Sequence, residues 1–81
     1  MERVIRVEAL PGHRLHVEFS DGTSGTVSIA DRLFGPMFEP LRDEAKFAEV
    51  FVDEFGVVAW PNGADLAPER LYVRVRDAIA A

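Results

Sequence analysis

The chain has 81 residues, of which 48% are hydrophobic and 28% are charged, and its formal net charge is −5. This length can bury one modest core, so we expect a single folded domain over residues 1–81 and not a disordered chain. No cysteine is present, which excludes disulfides, thiol nucleophiles and thiolate metal sites.

The negative charge is concentrated in the middle of the chain. Residues 39–54 contain six acids against two bases, a local balance of −4. An acidic protein is a poor free-standing nucleic-acid binder, because that binding depends on Lys and Arg neutralising phosphates. We therefore expect either a solvated acidic face that keeps the protein soluble or a surface for a basic partner protein. The candidate residues of this face are Glu39, Asp43, Glu44 and Glu49.

Hydropathy gives an expectation about location. No stretch approaches the roughly 18 consecutive apolar residues of a membrane-spanning helix. The first residues lack the apolar core of a secretion signal. We expect a cytoplasmic protein without a membrane partner.

Alternating side chains predict three strands in the first third of the chain. Residues 3–9 place β-branched side chains among charged ones, and Leu15, Val17 and Phe19 share one face of a second strand. The dipeptide at residues 21–22, Asp-Gly, is a strong hairpin signal, and residues 25–29 form the returning strand.

The register of this hairpin can be tested against hydrophobic pairing. A two-residue loop at residues 21–22 would place apolar side chains opposite polar ones, which a half-buried sheet disfavours. One additional loop residue pairs Phe19 with Gly25 and Val17 with Val27. We therefore predict a three-residue loop, or a bulge near residues 23–25 in which Gly25 adopts a positive φ.

The middle of the chain predicts short helices followed by a second hairpin. Residues 30–34 suit a helical turn, and the prolines in residues 35–42 predict an irregular stretch. Asp43 is a good N-cap for a short helix to about residue 50. Residues 51–60 predict a hairpin that turns at 54–56.

The last helix has a clear start. Pro68 suits the first helical position, and Leu66 and Leu71 have the spacing of a hydrophobic staple. The predicted apolar stripe of the helix consists of Leu71, Val75, Ala78 and Ile79. The predicted order is β-β-β-α-β-β-α, an α+β fold with a small, mostly antiparallel sheet and helices packed on one face.

Little in the sequence indicates catalysis. His13 lies in a predicted turn and His16 on the following strand. At this spacing the two side chains point to opposite faces of the sheet, so they do not form a metal pair. A Ser20, His16 and Asp21 triad fails because adjacent strand and turn positions do not give the required geometry. We expect no enzyme activity, no metal and no cofactor.

The segment from Trp60 to Tyr72 joins the predicted last strand to the last helix. We expect Trp60 and Tyr72 to be aromatic residues of the core or its rim. The alternative is that they form a platform for a ligand. Asn62 and Gly63 predict a tight turn. Asp65 has two interpretations: a carboxylate that accepts N–H groups of the loop or helix start, or a binding residue.

This segment, WPNGADLAPERLY at residues 60–72, resembles the signature of the bacterial domain of unknown function 2442 family. The hairpin around residues 19–25 and the GPMFEPL segment at 35–41 resemble two further motifs of that family in the same order. Ala67 departs from the pattern, because many relatives carry an acid there, and this puts the N-cap of the last helix in doubt.

The resemblance implies a compact accessory protein without a recognised catalytic set. Such proteins are often encoded beside another small protein, in an arrangement suggestive of toxin–antitoxin pairs. Three hypotheses remain: a protein-interaction module, antitoxin-like in such a pair; a DNA-binding autoregulator that uses Arg70, Arg74 and Arg76 of the last helix; and a small-ligand site at residues 60–65. Pairing into a homodimer also stays open.

Overall fold

A computed structural model describes residues 3–80 of the chain. Two three-stranded antiparallel sheets are joined by short helical turns, and a single longer helix follows them. The strands are β1 (Val4–Leu10), β2 (Arg14–Phe19), β3 (Ser24–Ser28), β4 (Phe51–Val52), β5 (Val58–Ala59) and β6 (Asp65–Leu66). The helices are α1 (Gly35–Phe38), α2 (Glu44–Phe47) and α3 (Pro68–Ala80), with 3-10 turns at Ala30–Arg32 and Glu39–Arg42.

The α+β class is confirmed, and the arrangement of the strands differs from the prediction in one respect. The strands divide into a β1-β2-β3 sheet and a β4-β5-β6 sheet instead of forming one sheet. The additional strand is β6, because the chain after Trp60 returns to pair with β5. The two sheets meet where the Val4 amide donates a hydrogen bond to the carbonyl of Gly56, at 3.0 Å.

The first hairpin has the predicted loop length but a different register. Residues 20–22 form a three-residue loop, and Val17 pairs with Gly25 while Leu15 pairs with Val27. The predicted pairs were therefore wrong by two residues. The faces are unchanged, because a shift of two keeps every side chain on its own side of the sheet.

Gly22 and not Gly25 supplies the positive φ of the hairpin, at 91°. Gly25 has a different role, because a Cβ atom there would lie 3.0 Å from Cγ1 of Val75. The missing side chain thus lets α3 approach β3 closely. The predicted bulge at Gly25 is replaced by a packing site for the helix.

The middle of the chain is more helical than predicted, and each helical piece is shorter. The stretch expected to be irregular contains α1 and the 3-10 turn Glu39–Arg42. Asp43 caps α2 as predicted, since its carboxylate accepts the Ala45 amide at 2.9 Å, but α2 ends at Phe47. A four-residue helix buries little area, so its stability comes from Phe47, which is fully buried.

Helix α3 begins at Pro68 as predicted and packs on β3. Leu71 and Val75 are buried, whereas Ala78 and Ile79 are exposed, so the predicted apolar stripe covers only the first two turns. One cluster of buried side chains lies beneath both sheets and the start of this helix. None of the helices within residues 3–80 is both long and apolar enough to cross a membrane.

Candidate functional site

Trp60 lies in the core and not on a binding surface. It is 1% exposed, and its indole N–H donates a hydrogen bond to the Phe47 carbonyl at 2.9 Å. Its ring packs against Phe38 and Phe47, with centroid separations of 6.1 and 5.7 Å. These contacts attach α1 and α2 to the second sheet. The indole therefore has no exposed edge of useful size for a ligand.

Asn62 and Gly63 build the turn between β5 and β6. The turn closes with hydrogen bonds from the Gly63 amide to the Trp60 carbonyl and from the Trp60 amide to the Ala64 carbonyl. Gly63 has a φ of 97°, which an L-residue rarely adopts. Asn62 uses its whole amide, because Oδ1 accepts the Ala64 amide at 3.1 Å and Nδ2 donates to the Met37 carbonyl at 2.8 Å.

Tyr72 lies apart from this turn and fastens α3 to the first hairpin. Its hydroxyl donates to Oδ2 of Asp21 at 2.6 Å, and its ring meets that of Phe19 edge to face at 4.9 Å. The Tyr72 hydrogen bond, followed by one from the Thr23 amide, lowers the pKa of Asp21 below its usual 3.8. The five predicted loop residues thus do not converge on one site.

Asp65 does not have the structural role that the sequence favoured. Asp65 pairs with Ala59 in the β5–β6 ladder, and its side chain is exposed. Within residues 3–80 its carboxylate has no hydrogen bond or ion pair, so it does not cap α3, where the Leu71 amide donates to the Ala67 carbonyl. Asp65 borders a cavity of about 240 Å³, which we call the arginine cleft.

The arginine cleft lies between the 3-10 turn after β3, strand β6 and the first turns of α3. Its lining residues are Ile29, Arg32, Asp65, Leu66, Ala67, Arg70, Leu71 and Arg74. Four of these are charged, three of them arginines. The protein has a net charge of −5, so the sign of the charge in this cleft is opposite to that of the protein as a whole. The spacing of Arg70 and Arg74 was visible in the sequence, whereas Arg32 was missed.

One arginine of the cleft is fixed by the protein itself. Arg74 donates to both carboxylate oxygens of Asp31, at 3.1 and 2.6 Å, and to the Ser28 carbonyl at 2.8 Å. The Arg74 hydrogen bond lowers the pKa of Asp31 below its usual 3.8. Arg76, the third arginine proposed for DNA contact, is exposed and does not line the cleft. Arg74 is therefore a poor candidate for DNA contact, because its guanidinium is already bonded to Asp31 and Ser28.

The four acidic candidates are all exposed but have different surroundings. Asp43 caps α2, and Glu44 lies 3.6 Å from Nε2 of His13. Glu49 borders a second cavity of about 430 Å³, which we call the Trp60 groove. Glu39 lies beside it, in a shallow hollow with Pro36 and Pro40. The residues that line the Trp60 groove are Pro40, Leu41, Lys46, Glu49, Trp60, Pro61 and Asn62.

Both histidines take part in contacts within the fold. Nε2 of His13 lies 3.0 Å from the Arg42 carbonyl, and its ring meets that of Phe47 edge to face at 5.1 Å. Nδ1 of His16 lies 3.0 Å from the Thr26 hydroxyl across the β2–β3 ladder. Among the residues that the structure describes, no three His, Asp or Glu side chains are grouped so as to hold a metal ion.

The chain is a small α+β domain with two concave surfaces: the arginine cleft, whose charged lining is three arginines and one aspartate, and the Trp60 groove, whose charged lining is Glu49 and Lys46. The chain belongs to the family described as protein of unknown function DUF2442, whose model matches residues 4–77. The family expected from the segment at residues 60–72 is therefore confirmed. Comparisons with curated proteins and with solved structures find no match.

Proposed function

We propose that this protein is a non-catalytic protein-interaction module that binds a basic segment of a partner protein in the Trp60 groove. The observation that carries the proposal is the groove itself, a cavity of about 430 Å³ bordered by Glu49 within the most acidic part of the chain. The engagement of both histidines in packing contacts supports a role without catalysis.

The groove combines apolar walls with two charged lining residues, Glu49 and Lys46, and Glu39 lies beside it. Leu41 and Trp60 are almost fully covered beneath the groove, at 2% and 1% exposure, and the exposed Pro40 and Pro61 form rigid walls that lose little conformational entropy when a ligand binds. Next to it lies Met37, which is 43% exposed and whose carbonyl is held by Asn62. Methionine adapts its shape to different apolar partners. This combination suits a segment with an aliphatic side chain flanked by Lys or Arg.

Charge favours a basic partner over an acidic one. Residues 39–54 carry a balance of −4, and Glu39 and Glu49 lie at or beside the groove with their side chains exposed. Complementary charge at an interface accelerates association and penalises like-charged competitors. In its finer form the proposal makes the chain the antitoxin-like member of a two-gene pair, as the family resemblance implies. The partner is then the product of the adjacent gene.

Co-expression with the neighbouring gene product, followed by size-exclusion chromatography, tests the proposal. We expect co-elution at micromolar concentration, and elution volumes of the chain alone report whether it forms a homodimer. Glu49→Lys should weaken the complex by at least about tenfold, because it places a cation against a basic segment. Glu8→Lys makes the same charge change at an exposed position of β1 and should have little effect.

Two results would contradict this function. Separate elution of the two proteins at micromolar concentration would remove the proposed partner. An equal loss of affinity in Glu49→Lys and Glu8→Lys would indicate a general effect of net charge and not binding in the Trp60 groove.

A further inference from the structure

The arginine cleft contains charged groups that the fold does not use. Arg74 is fixed by Asp31, but within residues 3–80 the side chains of Arg32, Arg70 and Asp65 form no hydrogen bond and no ion pair. Surface charges of this kind are ordinary where a surface is convex. Here two cations and one anion, none of them hydrogen-bonded or ion-paired within residues 3–80, border the same cavity of about 240 Å³, and, besides the Arg74 hydrogen bond, the charge of Arg32 helps to lower the pKa of Asp31.

The cleft also has an apolar floor. Ile29, Leu66 and Leu71 line it, and these three residues are almost fully covered, with 1%, 6% and 2% of their surface exposed. Ile29 directly follows β3, Leu66 lies in β6 and Leu71 lies in the first turn of α3, so three separate segments hold the floor in place. Convergent polar groups above a rigid apolar surface are the usual composition of a small-molecule site.

Size restricts the ligand. A cavity of about 240 Å³ is smaller than the roughly 300–1,000 Å³ of pockets that hold drug-sized molecules. It corresponds to the volume of about eight water molecules, each of which occupies roughly 30 Å³ in the liquid. A molecule of about ten heavy atoms therefore fills the cleft, whereas a nucleotide or a folded peptide would extend beyond it.

The signs of the charges restrict its chemistry. A guanidinium presents a planar fork that matches a carboxylate, which assigns the carboxylate of a ligand to Arg32 and Arg70. Asp65 repels a second negative charge, so it disfavours a phosphate dianion and favours an ammonium group. We propose that the arginine cleft binds a free aliphatic α-amino acid, with its carboxylate on Arg32 and Arg70, its ammonium on Asp65 and its side chain on the apolar floor.

This site is separate from the proposed protein-binding surface. The arginine cleft and the Trp60 groove share no lining residue. Failure of one proposal therefore leaves the other standing, and each has its own variants.

Methyl and amide NMR titration of the full chain tests the site, with L-leucine as the probe. We expect leucine to shift the methyl resonances of Ile29, Leu66 and Leu71. Leucinamide lacks the carboxylate and 4-methylvalerate lacks the ammonium, so each should bind at least about tenfold more weakly than leucine. Inorganic phosphate distinguishes a zwitterion site from a general anion site.

Matched variants assign the contacts. Arg70→Gln and Asp65→Asn each remove one charge that has no partner within the described residues, so both variants should fold, and both should weaken leucine binding by about tenfold. Arg76→Gln removes the same charge as Arg70→Gln from the same helix but outside the cleft, and it should bind leucine as the wild type does.

Three outcomes overturn the proposal. The first is the absence of methyl shifts with leucine up to about 50 mM. Two ion pairs and an apolar contact should give a dissociation constant below this concentration. The second is phosphate binding as tight as leucine binding, which would indicate an anion site without a role for Asp65. The third is equal affinity in Arg70→Gln and Arg76→Gln.

Discussion

At the scale of single residues, Trp60 shows how one side chain can determine the position of a whole segment. Helices α1 and α2 have four residues each and cannot be stable alone. Their positions depend on Phe38 and Phe47, which pack against the indole, and on the Phe47 carbonyl, which accepts its N–H. The same contacts shape the Trp60 groove, although the indole itself is almost entirely covered.

Trp60→Phe should lower the free energy of unfolding by about 1–3 kcal/mol, because it removes the shorter of the two hydrogen bonds to the Phe47 carbonyl and leaves only that from the Val50 amide, at 3.3 Å. Chemical denaturation followed by circular dichroism measures this, since the variant has no tryptophan fluorescence. Phe55→Leu is the control, because Phe55 is 75% exposed and a surface change there should stay within about 0.5 kcal/mol. Equal effects of the two substitutions would show that the indole hydrogen bond is unimportant.

The fates of individual residues show what the sequence could predict. Asn62, Gly63 and Asp43 were assigned correctly, because their roles in turns and caps depend only on neighbours in the chain. Asp65 was assigned to a local carboxylate role and instead borders a cavity. The same cavity is lined by Arg32 of the 3-10 turn, which is 33 positions away in the chain, so local sequence patterns do not predict that the two residues share it.

At the scale of elements, the contact between α3 and β3 depends on a glycine. The alternation in residues 15–19 predicted the buried face of β2 because a period of two is a local property. It could not predict the register, since shifts of two residues bury the same side chains. What selects the observed register is non-local: Gly25 must lie beneath Val75.

Gly25→Ala should therefore destabilise the protein by about 1–3 kcal/mol, because the new methyl group would lie 3.0 Å from Cγ1 of Val75. Thermal and chemical denaturation measure the loss. Ser24→Ala in the same strand is the control, since Ser24 is exposed and its change should stay within about 0.5 kcal/mol.

A second substitution tests the cause of that loss. Val75→Ala in the Gly25→Ala background provides space for the added methyl, so the two changes should cost less together than the sum of their separate effects. Strictly additive costs would show that the close approach of helix and strand is not the reason for the glycine.

At the scale of the whole molecule, helix α3 is attached to the first sheet by two carboxylates at opposite ends of β3. Tyr72 donates to Asp21 before this strand, and Arg74 donates to Asp31 after it. Both hydrogen bonds require the ionised carboxylate for full strength. The attachment of α3, and with it one wall of the arginine cleft, is therefore sensitive to acid.

The sign of this dependence follows from the pKa shifts. The pKa values of Asp21 and Asp31 are lowered in the folded protein, by Tyr72 and Arg74 respectively, from the 3.8 of an unperturbed carboxyl. A group whose folded pKa is depressed stabilises the fold above its unfolded pKa, and that stabilisation is lost as the pH falls through the folded value. The contribution of Asp21 and Asp31 to stability should thus be fully present above about pH 5 and decline below about pH 4.

Tyr72→Phe removes the hydroxyl that contributes most to the shift of Asp21 and keeps the ring on Phe19. We expect the variant to be less stable than the wild type at pH 7 and to approach the wild type as the pH is lowered toward 2, because a protonated Asp21 accepts the hydrogen bond from Tyr72 less strongly than the carboxylate does. Asp31→Asn should behave in the same way through Arg74. Urea denaturation between pH 2 and 7 measures both differences, and a gap that stays constant over this range would show that neither carboxylate links acid to the docking of α3.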